Sequence, residues 1–330
     1  MSCTAPLYAV QSLWDGKPIV LSDGKISRPT ILNYRERMII VSRLEKYGND
    51  FTRYCEEVLC KGQRLNIDYR PLILPCGKCA ACRLKYGKHW ATRGLMEAFC
   101  HEKSCFLTLT LDDKSLKEHG DYVRIDYLQK FFKRLRKHLG LKKVRYLACG
   151  EYGSLNMRPH YHCIIFGYYP DDAEFEKVNA LGDEIYISKE LNSLWQFGNI
   201  FIGDVSAESI AYVAGYVVKK QQIIDEYPPD YRHHAPFITM SRKPGLGYEF
   251  FSKYTEDFLH DSIRINDKQV NVPRYFIKQF EKFRPDIADK LKEMRKQASQ
   301  KAKTYNLSVQ DYMNLDEFYN LRLSKKVRQL

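Results

Sequence analysis

Between residues 103 and 222 the apolar residues change period repeatedly, from two to 3.6 and back, and this pattern narrows the possible folds furthest. Cys105, Leu107, Leu109 and Leu111 alternate with Phe106, Thr108 and Thr110, as in a strand with one buried face. Leu128, Phe131, Phe132, Leu135 and Leu139 recur at helical spacing over 126–139, with Gly140 where a C-cap glycine belongs. Residues 144–150 and 159–167 read as strands joined by a polar loop. A short helix at 189–196 and a strand at 199–204 follow, and Ser206 is placed to cap a helix running to Lys220. The order strand, helix, strand, strand, helix, strand is the split βαβ, ferredoxin-like order. The expected fold class is therefore α+β: an antiparallel sheet of about five strands with helices packed on one face.

The flanks are less regular. Residues 1–75 are weakly patterned, with turns at Asp15-Gly16 and Asp23-Gly24; 84–101 reads as a helix; 223–260 is loop-rich; and 273–305 reads as a basic helix or helix pair. No apolar run approaches the roughly 20 residues of a membrane span, and the first residues lack the pattern of a secretory signal. A cytoplasmic location without membrane attachment is expected.

The net charge is +13, and the cations are interleaved with 24 Tyr, 17 Phe and 3 Trp. Cations hold a phosphate backbone while aromatic rings stack unpaired bases, so the mixture suits single-stranded nucleic acid, although a basic enzyme with a Tyr-rich core has the same composition. Lys130, Lys133 and Arg134 on the polar face of the 126–139 helix, with Arg158, Lys220, Arg242, Lys243 and the basic helix near 274–303, are the candidate DNA contacts; a solvated face is the alternative for each. No GxxxxGK[ST] sequence is present, so no P-loop motor is expected.

Two constellations carry chemistry. His160 and His162 stand at i and i+2 on a predicted strand, so their imidazoles share a face. Glu151, at the end of the partner strand, can add a carboxylate. Two imidazoles and a carboxylate leave open positions for substrate oxygens and suit Mn²⁺ or Mg²⁺, with Zn²⁺ a tighter competitor. The second constellation is Tyr212, Tyr216 and Lys219, at i, i+4 and i+7 on one helical face. A Tyr hydroxyl titrates near pH 10 and needs a nearby cation and a polarised phosphate to act as a nucleophile. The alternative is a tyrosine stripe packed on the sheet, against which Gly215 counts, since a mid-helix Gly costs up to about 1 kcal/mol relative to Ala.

Cys76, Cys79 and Cys82 form two overlapping CxxC steps, the spacing of a structural zinc site lacking its fourth ligand. Cys55, Cys60, Cys100 and Cys105 compete for that place, and a set of buried thiols is the alternative.

In chain order, Pro75-Cys-Gly-Lys-Cys-Ala-Ala-Cys-Arg83, Phe106-Leu-Thr-Leu-Thr-Leu-Asp112, Cys149-Gly-Glu-Tyr-Gly153, Arg158-Pro-His-Tyr-His-Cys-Ile-Ile-Phe166 and the Tyr212–Lys220 helix resemble the HUH endonucleases. Within them, they resemble the replication initiators of microviruses, gokushovirus-type. The resemblance covers about 75–220. It implies that His160 and His162 bind a divalent metal and that Tyr212 and Tyr216 are nucleophiles. It also favours Cys3, near the start, as the fourth zinc ligand. The implied activity nicks single-stranded phage origin DNA, leaving a 5′-phosphotyrosine and a free 3′-OH for rolling-circle replication, then religates. The implied partners are a host helicase and DNA polymerase, and the implied location is the cytoplasm of a bacterial host. On this reading 1–102 is an N-terminal region with the Cys cluster and a helix, 103–222 the endonuclease core, and 223–330 a basic loop and helical region. A transposase or relaxase with the same chemistry, and a non-catalytic single-strand binder, are the rival functions.

Overall fold

A computed structural model of the chain describes residues 7–14, 17–18, 30–31, 68–77, 79–153, 156–179, 182–219, 234–265, 268–301 and 309–328, in the first four strands and at several helix ends as backbone alone. The chain divides into two compact units, one of residues 1–82 and 306–322, the other of 83–305 and 323–330.

In the first unit, β1 (Leu7–Trp14) pairs antiparallel with β4 (Asp68–Leu74), from Leu7 opposite Leu74 to Leu13 opposite Asp68. The short strands β2 (Lys17–Pro18) and β3 (Thr30–Ile31) also pair with β1.

The second unit holds the predicted core. Helix α1 (Ala80–Phe99) precedes β5 (Ser104–Thr110), α2 (Asp113–His119), α3 (Ile125–Leu139), β6 (Arg145–Tyr152) and β7 (Pro159–Phe166). Then come β8 (Glu174–Val178), β9 (Glu184–Ile187), α4 (Lys189–Trp195), β10 (Ile200–Gly203), α5 (Ala207–Lys219) and β11 (Phe237–Met240). The sheet runs β11-β6-β7-β5-β10-β9-β8, antiparallel throughout. Strands β10-β5-β7-β6 reproduce the ferredoxin-like order. Seven strands replace the expected five or so, because the β8–β9 hairpin extends one edge and β11 the other.

Alternation makes β5 two-faced. Cys105, Leu107 and Leu109 are buried against Leu128, Phe131, Phe132 and Leu135 of α3 and Leu191 and Trp195 of α4. Gly140, at a φ of 59°, ends α3 in the left-handed region where a side chain is disfavoured. Arg134 donates from Nη2 to the carbonyl of Trp195 at 2.7 Å, satisfying a terminal carbonyl of α4.

The other face is also covered, which corrects the one-sided sheet. Leu147, Cys149, Ile164 and Phe166 pack with Ile210 and Val213 of α5 and with Trp90, Leu95 and Ala98 of α1. The helices approach so closely that a Cβ on Gly94 would lie 2.5 Å from a methyl of Ile210.

Beyond the sheet, α6 (Tyr248–Lys253), the hairpin β12 (Ser262–Ile265) and β13 (Lys268–Asn271), α7 (Arg274–Phe283) and α8 (Pro285–Lys301) bury Phe251, Phe276, Phe280 and Leu291 with Met96 of α1. The last helix is α9 (Val309–Arg328).

Glu97 of α1 ties these parts together. Its carboxylate accepts from the Gly247 N–H at 2.6 Å, from Arg145 Nε and from His101 Nε2 at 3.3 Å. Burial opposes its ionisation, but bonds from His101 and Gly247 and the charge of Arg145 outweigh that and hold its pKa below the ordinary value. Its stabilisation is therefore present above the ordinary carboxylate pKa and is lost as pH falls through the depressed folded value. Glu97→Gln is expected to cost about 3 kcal/mol at pH 7, as for breaking one side of a buried pair, with the difference from wild type shrinking in melts below about pH 4.

Candidate active site

The antiparallel register sets the site. β7 lies between β6 and β5, with His160 opposite Glu151 and Thr110, and His162 opposite Cys149 and Thr108. The two imidazoles therefore stand on the face that α5 covers. His160 Nε2 lies 3.0 Å and His162 Nε2 3.3 Å from Glu151 Oε1. Glu151 and His162 are buried, and His160 is partly open.

Each imidazole is held through its other nitrogen. His160 Nδ1 lies 3.2 Å from the Arg158 carbonyl, so Nε2 is the nitrogen turned to Glu151. His162 Nδ1 lies 3.2 Å from Thr108 Oγ1. The ring of Phe106 stacks on His162 at 5.6 Å between centroids and 7° between planes.

The Arg158 side chain is about half exposed. Its guanidinium binds the Leu111 carbonyl at 2.6 Å and Asp113 at 2.8 Å, anchoring the turn that carries its own carbonyl to His160. Lys130 pairs with Asp126 at 3.1 Å, Lys133, Arg242 and Lys243 are exposed, and Lys220 lies outside the described residues.

From the covering helix, Tyr212 places its hydroxyl 3.1 Å from His162 Nε2. The local sequence explains the placement. Ser206 Oγ accepts from the N–H groups of Glu208 and Ser209, fixing the start of α5, and the buried Ile210 and Val213 turn Tyr212 towards the histidines. Tyr216 and Lys219 lie one and two turns further along α5, with side chains outside the described residues.

The donor set fits a divalent cation. The ligand atoms of Glu151, His160 and His162 lie within 4.8 Å of one another, and the two nitrogen–oxygen separations match the roughly 3 Å between adjacent ligands on an ion with bonds of about 2.1 Å. Thr108 and Phe106 were not singled out from sequence, although the alternation of β5 had put both on the face away from the apolar side chains. Thr108→Val is expected to weaken Mn²⁺ binding about 10-fold in titration calorimetry, with Thr108→Ser near wild type.

A second cluster lies in the first unit. The sulfurs of Cys76, Cys79 and Cys82 are within 4.8 Å of one another, and the Cys79 N–H donates to Cys76 Sγ at 3.2 Å. Cys3, Cys55 and Cys60 lie outside the described residues. Cys105 is fully buried in the sheet, where burial pushes its thiol far above the ordinary pKa, and Cys100 is a half-buried free thiol just after α1.

Residues 104–221 match a family model of replication-associated proteins, that of the ORF2 type. Replication-associated protein VP4 of Bdellovibrio phage phiMH2K is 32% identical over 275 residues, covering 80% of this chain and 84% of that protein. Replication-associated protein ORF4 of Chlamydia phage 1 is 34% identical over 215 residues, 62% of this chain and 52% of that protein. Replication-associated protein ORF2 of Spiroplasma virus 4 is 32% identical over 251 residues, 69% of this chain and 74% of that protein. No solved structure matches the chain.

Proposed function

Because the chain belongs to the replication-associated proteins of microvirus-type phages, we propose that it starts rolling-circle replication by cutting single-stranded origin DNA with a tyrosine. The observation that carries this reading is the convergence of Glu151, His160, His162 and the Tyr212 hydroxyl on one side of the sheet.

Glu151, His160 and His162 would hold a Mn²⁺ or Mg²⁺ ion, which would supply polarisation of the scissile phosphate and offset charge in the transition state. Thr108 and the Arg158 carbonyl orient the imidazoles. The tyrosyl oxygen attacks phosphorus, the bond from phosphorus to the 3′-oxygen breaks, and the proton lost by tyrosine is balanced by the one the 3′-oxygen gains. The products are a 5′-phosphotyrosine and a free 3′-OH for a host polymerase to extend. The ester keeps the bond energy of the phosphodiester, so a later 3′-OH reseals the strand without ATP. Tyr212 and Tyr216, one helical turn apart, alternate between cleavage and joining, and Lys219 assists the attacking oxygen.

The test is a denaturing gel of the protein incubated with origin single strand and Mn²⁺. A covalent protein–DNA band is expected. Binding without such a band leaves a single-strand binding protein and removes the nuclease reading; an adduct on a transposon end or transfer origin, but not on the phage origin, identifies a transposase or relaxase.

For the cysteine cluster the reading is a structural Zn²⁺ on Cys76, Cys79 and Cys82, with Cys3 as fourth ligand. Support comes from the gathered sulfurs and the amide donated to one of them, an arrangement suited to a thiolate. Elemental analysis should find about one zinc per chain, lost in Cys79→Ser together with part of the thermal stability.

A further inference from the structure

We propose that the surface of α1 formed by Lys85, Tyr86, Lys88 and His89, together with Arg274 at the start of α7, is a second binding site for single-stranded DNA. The cations hold backbone phosphates and Tyr86 stacks a base. The inference rests on the DNA-processing reading above, but on residues outside the metal site.

Lys85 and His89 are one turn apart on α1, with Lys88 beside them. Arg274 is brought to the same place because its neighbour Tyr275 stacks on Arg93, one turn beyond His89, with the guanidinium carbon 3.9 Å from the ring centroid. Arg93 also lies over Trp90 at 4.3 Å, so the junction of the two helices is fixed by packed rings and a buried cation.

The charges at this junction are unbalanced. Lys85, Lys88 and Arg274 are exposed, and among the described residues none has a carboxylate partner. Elsewhere the exposed cations are often paired, as Lys130 is with Asp126, Lys253 with Glu249 and Lys292 with Glu281. The half-buried His89 senses the imbalance: burial and then Lys85, Arg295, Arg274 and Lys88 lower its pKa to about 4. At neutral pH it is therefore an uncharged imidazole with an N–H to donate, set among cations. Arg295 is already paired with Asp261, and the remaining donors, Lys85, Lys88, Arg274 and the His89 N–H, match a phosphodiester.

The ring of Tyr86 is 45% exposed beside these cations, which selects unpaired bases over duplex DNA. α1 packs on the same face of the sheet as the site histidines, at Gly94 against Ile210 of α5. Lys85 precedes Gly94 by nine residues, about 14 Å along the helix axis.

The experiment measures affinity for single-stranded oligonucleotides by fluorescence anisotropy in EDTA, where cleavage does not contribute, over a range of salt. Lys85→Ala with Lys88→Ala and Arg274→Ala is expected to weaken binding at least about 10-fold at 0.1 M salt and to lower the salt slope by about 2, for three lost phosphate contacts. Tyr86→Ala should weaken single-strand binding roughly 5-fold or more with little effect on duplex, and Tyr86→Phe should match wild type. Lys253→Ala, at a paired cation, should change nothing. Unchanged affinity and slope in the triple variant overturn the proposal. If that variant fails to fold, Lys88→Glu decides: a loss above about 3-fold supports the site, and none overturns it. Since the readout is binding alone, a protein that fails to form a covalent adduct leaves this result intact, and the two readings fail separately.

Discussion

Phenylalanine at both Tyr212 and Tyr216 is expected to leave a folded protein that binds origin single strand and forms no covalent adduct. The substitution keeps each ring and its packing and removes only the oxygen that would attack phosphorus, so it separates chemistry from stability. Cleavage should fall by roughly 10⁴-fold or more, the scale on which loss of a nucleophile acts. Each single variant should still nick in part, and one of them should lose the second transfer that closes a circle. Tyr212→Phe has an added signature: its hydroxyl lies 3.1 Å from His162 Nε2, so its loss should also alter Mn²⁺ affinity, which is read without DNA. Lys219→Ala should slow cleavage without moving the cut.

The second large effect concerns the metal ligands. His160→Ala and His162→Ala are each expected to lower nicking by about 10²-fold or more, as when an electrostatic element of transition-state stabilisation is removed. EDTA should abolish activity in the wild type. DNA affinity should change little, because phosphate contacts by exposed Lys and Arg dominate it. Glu151→Gln keeps the size of the buried side chain but removes its charge, and should weaken Mn²⁺ binding while the melting temperature stays close to wild type. Full nicking in EDTA would contradict the metal site.

The sheet's central strands were legible because each carries a pattern that burial enforces. The alternation of Cys105, Leu107 and Leu109 fixed the buried face of β5, and the spacing of His160 and His162 fixed which residues of β7 share a face. What sequence missed follows from the same physics. Residues 174–178 of β8 are all exposed, so no apolar period marks them as a strand. β11 is four half-buried residues within a loop-rich stretch, defined by pairing with β6 rather than by pattern. The cover on the second face depends on Gly94, whose contribution is the absence of a side chain. Thr108 could be tied to His162 only once the register between β5 and β7 was known. Arg134 and Arg158 also bind backbone carbonyl groups, those of Trp195 and Leu111, contacts that a charge pattern does not show.

The central claim is tested most directly by mass spectrometry of the protein–DNA adduct after nuclease trimming. Between Lys189 and Lys219 the chain has no Lys or Arg, so Tyr212 and Tyr216 fall in one tryptic peptide and fragmentation must separate them. A residual 5′-phosphonucleotide on Tyr212 or Tyr216, formed only with a divalent cation, is the predicted result. The same mass on a serine, a histidine or any other tyrosine would contradict the assignment of this helix as the source of the nucleophile.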